Sequence, residues 1–228
     1  IRSKNAFLPL EPMSDVIRVT FPTYARLQDN PDLLKRALEK SLYFIALCVY
    51  PLLFGFIALA PWIIEIVFTS KWLPALPLFY LFCFSTFWGA ISTTFTNALF
   101  AIGKAKTVLN YMIMWTILTW TLTPLLTYKY QITGIGIASA LISFTSIGVI
   151  FTVKKHIKIK VMQNIGYQIL SSLIMALIIN TIAKSINLNM YSLFMLVVLG
   201  ALIYLSSMYL VNGKRMVSEI KSIRRAYK

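Results

Sequence analysis

The stretch SLYFIALCVYPLLFGFIALAPWIIEIVF, residues 41–68, decides the fold, because its 28 residues carry a single charge, Glu65. A helix needs roughly 20 mostly apolar residues to cross about 30 Å of hydrocarbon, and this run exceeds that length. Five more runs of the kind follow, at residues 73–102, 108–127, 132–153, 165–183 and 191–211, with no charge inside any of them. The whole chain of 228 residues is 58% hydrophobic and 13% charged, with a mean hydropathy of +0.75. A soluble domain carries about 25% charged residues, so an ordinary globular protein is excluded. The chain reads as all-α, a polytopic membrane helical bundle with six transmembrane helices and a preceding cytoplasmic helix.

There are 22 Lys and Arg against 7 Asp and Glu, a formal net charge of +15. In a soluble chain that balance points to nucleic acid; here the cations stand between the apolar runs. All but Lys71, Lys129 and Lys184 fall before the first run, in the even-numbered loops or in the tail. Basic loops stay on the cytoplasmic side, which puts both termini and the even-numbered loops in the cytoplasm. The charge is a topology signal, and no nucleic-acid partner is expected. The chain opens on Ile1 with no short apolar run and cleavage site behind it, so a signal peptide is not the expected explanation of the start; a processed or truncated chain is expected.

Three regions follow: residues 1–40 as a cytoplasmic segment with an amphipathic helix, 41–211 as the six-span bundle, and 212–228 as a basic cytoplasmic tail. Asn30-Pro31-Asp32 supplies an N-cap, a proline at the first helical position and an acid in the first turn. A helix starts there and, from the spacing of Leu34, Leu38, Leu42 and Ile45, runs on into the first span. Pro51 is expected to kink it. Residues 72–103 form an uncharged run of 32 residues, about 48 Å as straight helix, so Pro74 and Pro77 place its first turn at the outer interface. The Ser, Thr, Gly and Asn residues between 85 and 97 turn that part of the helix toward protein or water.

Gly136 and Ala140 lie four apart and suit close helix approach; Gly134-Ile135-Gly136 lacks the third glycine and the preceding strand of a dinucleotide loop. Trp62, Trp72, Tyr128, Tyr130 and Tyr191 stand near span ends, as an aromatic belt does. Cys48 and Cys83 sit inside apolar runs without a partner motif and read as two buried free thiols.

Chemistry is sparse. The outer loops are a few residues long and hold little beyond three lysines, and His156 lies in a basic loop, so no catalytic residue, metal ligand or cofactor is assigned and an enzyme is not expected. Glu65 has two readings. It is an interfacial acid beside Lys71, or a protonatable or cation-binding group that couples transport. Asn97, Asn110 and Asn180 are expected to hydrogen-bond between helices.

Three stretches carry a family resemblance. Phe21-Pro22-Thr23-Tyr24-Ala25-Arg26-Leu27-Gln28-Asp29 resembles the FP-x-[FY]-[SA]-[KR]-L-Q-D signature of bacterial polysaccharide exporters, the Wzx-type flippases of lipid-linked oligosaccharides. Ala60-Pro61, then Phe68-Thr69-Ser70-Lys71-Trp72 with Ala75 and Pro77, is similar to that family's AP…FG-x-x-W-x-x-A-x-P segment. Ala101-Ile102-Gly103-Lys104-Ala105-Lys106 resembles its glycine-and-basic cytoplasmic turn. Thr69 stands where the family has Gly, which implies a different backbone geometry in that outer turn. Residues 1–15, with Pro9 and Pro12, depart from the apolar helix the family has there.

Family members are about twice as long, and these motifs belong to their C-terminal half. The resemblance therefore implies one bundle of a flippase in the bacterial inner membrane, with a missing N-terminal bundle and membrane lipid as partners. Its implied substrate is an undecaprenyl-diphosphate-linked glycan, passed across by alternating access. With no Lys or Arg deep in a span, the cations at the cytoplasmic mouth, Arg18, Arg26, Lys35, Arg36, Lys104 and Lys106, are the candidates for the diphosphate, although anionic headgroups account for each of them equally well. An unrelated multispanning secondary transporter, a glycan-processing membrane enzyme and a non-transporting remnant of a flippase are the alternatives.

Overall fold

The structure is a computed structural model that describes residues 24–27 and 30–226. Arg18, the rest of the first 23 residues, and Gln28 and Asp29 of the signature lie outside the described residues. All regular elements among those described are helical. They are α1 (Pro31–Ile63), α2 (Leu76–Ala101), α3 (Ala105–Tyr130), α4 (Ile132–Thr145), α5 (Ile147–His156), α6 (Val161–Ser185) and α7 (Met190–Ala226), with α4 and α5 forming one span broken at Ser146.

Helix α1 begins as its cap chemistry requires. The Asn30 side chain accepts a hydrogen bond from the Leu33 N–H at 3.2 Å, Pro31 stands at the first helical position, and the helix runs 33 residues without a break. The expected amphipathic segment and first span are thus one element, with Leu34, Leu38 and Leu42 buried. Pro51 is carried inside the continuous helix. The irregularity comes after Pro61, where residues Ile64–Phe68 form a π-helical turn; proline removes a donor from the ladder and crowds the turn before it.

Five elements are long and apolar enough to cross a membrane: Pro31–Phe68, Ser70–Ala101, Ile132–His156, Val161–Ser185 and Met190–Gly213. The expected third span, at 108–127, is a helix of ample length, but α3 is not among those five. Its threonines lower its hydropathy. Thr116, Thr119 and Thr121 donate to the carbonyls of Met112, Trp115 and Ile117 at 2.7–2.9 Å, so their hydroxyls are satisfied within the helix.

The helices form two groups. In one, α6 packs along α1 and α7 packs on both. The two first-named run parallel, since Glu39 lies level with Lys160, Gly55 with Met175 and Ala58 with Asn180. In the other, α4 packs against α2 and α3, and α5 against α2. The expected close approach is present, because a Cβ on Gly136 would meet the Leu78 side chain at 2.8 Å. Gly134 is tighter still: a Cβ there would strike the Leu126 carbonyl of α3. Tyr111 hydrogen-bonds Thr152 at 2.7 Å, and Trp115 Nε1 donates to Thr145 at 3.0 Å, tying α3 to the broken span.

Candidate functional site

The basic end is organised around an apolar plug. Tyr24 is 1% exposed and packs with Leu34 and Leu38 of α1, Leu99 of α2, Val108 of α3 and Val153 of α5, while Leu27 covers the same cluster. The tyrosine and leucine of the FP…RLQD stretch are therefore packing residues that pin the chain before α1 onto four helix ends. Burial pushes the Tyr24 hydroxyl up to about 12, with the Ser41 side chain opposing the shift.

Arg26 of the same turn is left exposed, as are Arg36, Lys104 and Lys106, and Lys35 is half-buried. Each is a near neighbour in sequence of a plug residue, so the fold brings these five expected cations to one end. The turn from α2 to α3 explains the glycine in Ala101-Ile102-Gly103-Lys104. Gly103 has φ 74°, its N–H bonds the Phe100 carbonyl at 3.1 Å, and the Lys104 N–H bonds the Leu99 carbonyl at 2.9 Å. This is a Schellman ending, which needs a left-handed residue at that position.

The opposite end holds Glu65 in the π-helical turn and Lys71 in the 3-10 turn Ser70–Ala75, both exposed. Between them Thr69 has φ 91° and ψ 152°. The threonine takes a conformation that is essentially restricted to glycine. Trp72, Tyr128, Tyr130 and Tyr191 are exposed near helix ends as expected, whereas Trp62 packs against the α1–α6–α7 core.

Of the three asparagines, Asn180 makes the expected interhelical bond, its Nδ2 donating to the Ala58 carbonyl at 3.1 Å. Asn97 is half-buried and Asn110 exposed. Cys83 is buried, but Cys48 is exposed on the protein surface, which corrects half of the thiol expectation. It lines an apolar groove of about 500 Å³ with Gly55, Met175 and Gly200, and an apolar run does not reveal which of its faces meets lipid.

The sequence reading missed a polar seam along α6. Asn164, Gln168, Ser171 and Ser172 are all buried. Arg215, three residues beyond the non-helical Asn212 of α7, closes its basic end. It donates to Asn164 Oδ1 and to the Gln163 carbonyl, and its guanidinium lies 5.0 Å from the centroid of the Tyr43 ring. The recurrence of Asn164, Gln168 and Ser171 at helical spacing in an apolar run was the available signal.

The fold and its basic rim define a polytopic helical bundle with one face of helix ends built to carry cations. Residues 3–77 match the sequence model of a family described as polysaccharide biosynthesis protein, and the first two stretches of the resemblance lie inside that match. Among solved structures, the chain is similar to the lipid II flippase MurJ in its inward closed conformation, with a TM-score of 0.68 and 18% identity. The superposition covers 88% of this chain and 43% of that one, so the chain spans less than half the flippase's length. No curated protein sequence matches the chain.

Proposed function

We propose that the chain is one bundle of a two-bundle transporter that exports a lipid-linked oligosaccharide or polysaccharide precursor across the bacterial inner membrane by alternating access. The observation that carries this is the fold match, in which nearly the whole chain falls on less than half of a lipid flippase. The family match over residues 3–77 supports the glycan class of the substrate. Rigid bundles rocking about a shared cavity need a face that is neither core nor lipid contact. The stripe Thr86, Thr93, Thr96 and Asn97 on α2 suits that role, Thr86 being exposed and the other three half-buried, with the three hydroxyls already bonded to their own helix at 2.8–2.9 Å.

In this proposal Arg26, Lys35, Arg36, Lys104 and Lys106, with Arg18, form the cytoplasmic mouth that meets the diphosphate, and both termini are cytoplasmic. Glu65 at the outer end is the coupling candidate. The test is surface glycan in cells whose exporter is this chain with its partner bundle. Replacing Arg26 and Arg36 together by Gln lowers export while insertion is retained; full export removes the mouth from the pathway, and Glu65→Gln in the same assay decides the coupling role. In a background without Cys48 and Cys83, a cysteine placed at Ser70 reacts with an impermeant thiol reagent from outside and one at Lys158 does not. The reverse pattern overturns the orientation.

A further inference from the structure

The seam along α6 gathers four unpartnered polar atoms on adjacent turns of one helix. On α2 and α3 the hydroxyls of Thr86, Thr93, Thr116 and Thr119 are satisfied by the carbonyl one turn back. Gln168, Ser171 and Ser172 are each 0% exposed. Yet Gln168 Oε1 and Nε2 and both serine Oγ atoms have no protein hydrogen-bond partner, nor does the hydroxyl of the buried Tyr50.

The parallel register places these atoms at one depth. Glu39 stands level with Lys160 and Gly55 with Met175, so Gln168 to Ser172 lie opposite the stretch of α1 from Leu47 to Pro51, which holds Tyr50. Helix α7 closes the same level, where the Tyr204 hydroxyl donates to the Leu47 carbonyl at 3.0 Å. An amide buried with neither end bonded costs several kcal/mol, and a ligand that supplies both donors and acceptors removes that cost.

We propose that the α1–α6–α7 seam is an internal hydration site, in which ordered water bridges the Gln168 amide to the Ser171 and Ser172 hydroxyls. The ligand is neutral by the chemistry of the walls. Between residues 41 and 64, 161 and 183, and 190 and 213 there is no Asp or Glu to balance a cation and no Lys or Arg to balance an anion. Buried water makes two to four hydrogen bonds to such groups, and the three side chains supply at least that number. Arg215 closes the seam at the basic end, where its guanidinium is taken up by Asn164 and the Gln163 carbonyl and lies over Tyr43.

Radiolytic hydroxyl footprinting of the full chain in lipid nanodiscs tests this, because radicals formed from bound water label adjacent buried side chains. Met175 is labelled several-fold more than the equally buried Phe95, after correction for intrinsic reactivity. The triple variant Gln168→Leu, Ser171→Ala, Ser172→Ala loses that excess, and Arg215→Ala speeds the exchange of the label source with isotopically labelled bulk water. Labelling no greater than at Phe95, or unchanged in the triple variant, overturns the proposal. Thermal stability of Gln168→Met gives an independent reading. A dry seam gains stability when its unpaired amide is removed and Tm rises, which overturns the proposal, whereas a hydrated seam loses a water ligand and Tm stays or falls.

Discussion

The two helix groups solve the same problem with different emphasis. In the α1–α6–α7 group the polar side chains are inside, where Asn164, Gln168, Ser171 and Ser172 form a buried line. In the α2–α5 group the tightest contacts are at Gly134 and Gly136, the Tyr111–Thr152 and Trp115–Thr145 bonds tie α3 to the broken span, and Thr116 and Thr119 of α3 face outward with their hydroxyls bonded to their own helix. Within lipid there is no hydrophobic gain in bringing two apolar helices together, so association rests on close packing or on polar bonds between helices. Both groups use polar bonds between helices, and the α2–α5 group adds glycine contacts too tight to admit a Cβ.

The largest expected effect breaks the close-packed side of this contrast. Gly134→Ala places a methyl against the Leu126 carbonyl, which is backbone and has no rotamer to escape into. Overpacking of this kind costs about 3 kcal/mol, measured as a drop in Tm in detergent; a Tm equal to wild type refutes the close approach of α3 and α4. The turn that joins the two groups is expected to respond in the other direction. Thr69→Gly relieves a glycine-type conformation and, after the entropy that glycine adds to the unfolded chain, raises stability by about 1 kcal/mol. A lower Tm shows that the threonine is not strained there. The smallest effect sharpens the polar side. Asn180→Leu removes the bond to the Ala58 carbonyl and costs about 0.6 kcal/mol, the usual worth of one interhelical hydrogen bond in a membrane protein; a loss several times larger makes Asn180 part of a wider network.

Several features were legible because they are local. The start of α1 follows from Asn30, Pro31 and Asp32, whose cap bond forms between residues three apart. The turn at Gly103 follows from a glycine placed just past the end of an apolar run. Both Pro51 and Pro61 lie inside α1 and only the second is followed by a π-helical turn, a difference that the two prolines do not show locally. Of the candidate site, five cations do share one end, whereas the role of Tyr24 as their anchor depends on four helices meeting around it.

The sequence by itself determined that this is a multispanning helical bundle with one basic end, because span length, apolarity and loop charge act on each segment without reference to the others. Only the tertiary structure decided which face of each helix meets another helix, which exposes Cys48, buries Gln168 and turns Arg215 back onto Tyr43. Lipid and protein interior are alike in polarity, so an apolar run is marked as spanning but its faces are not, until packing assigns them.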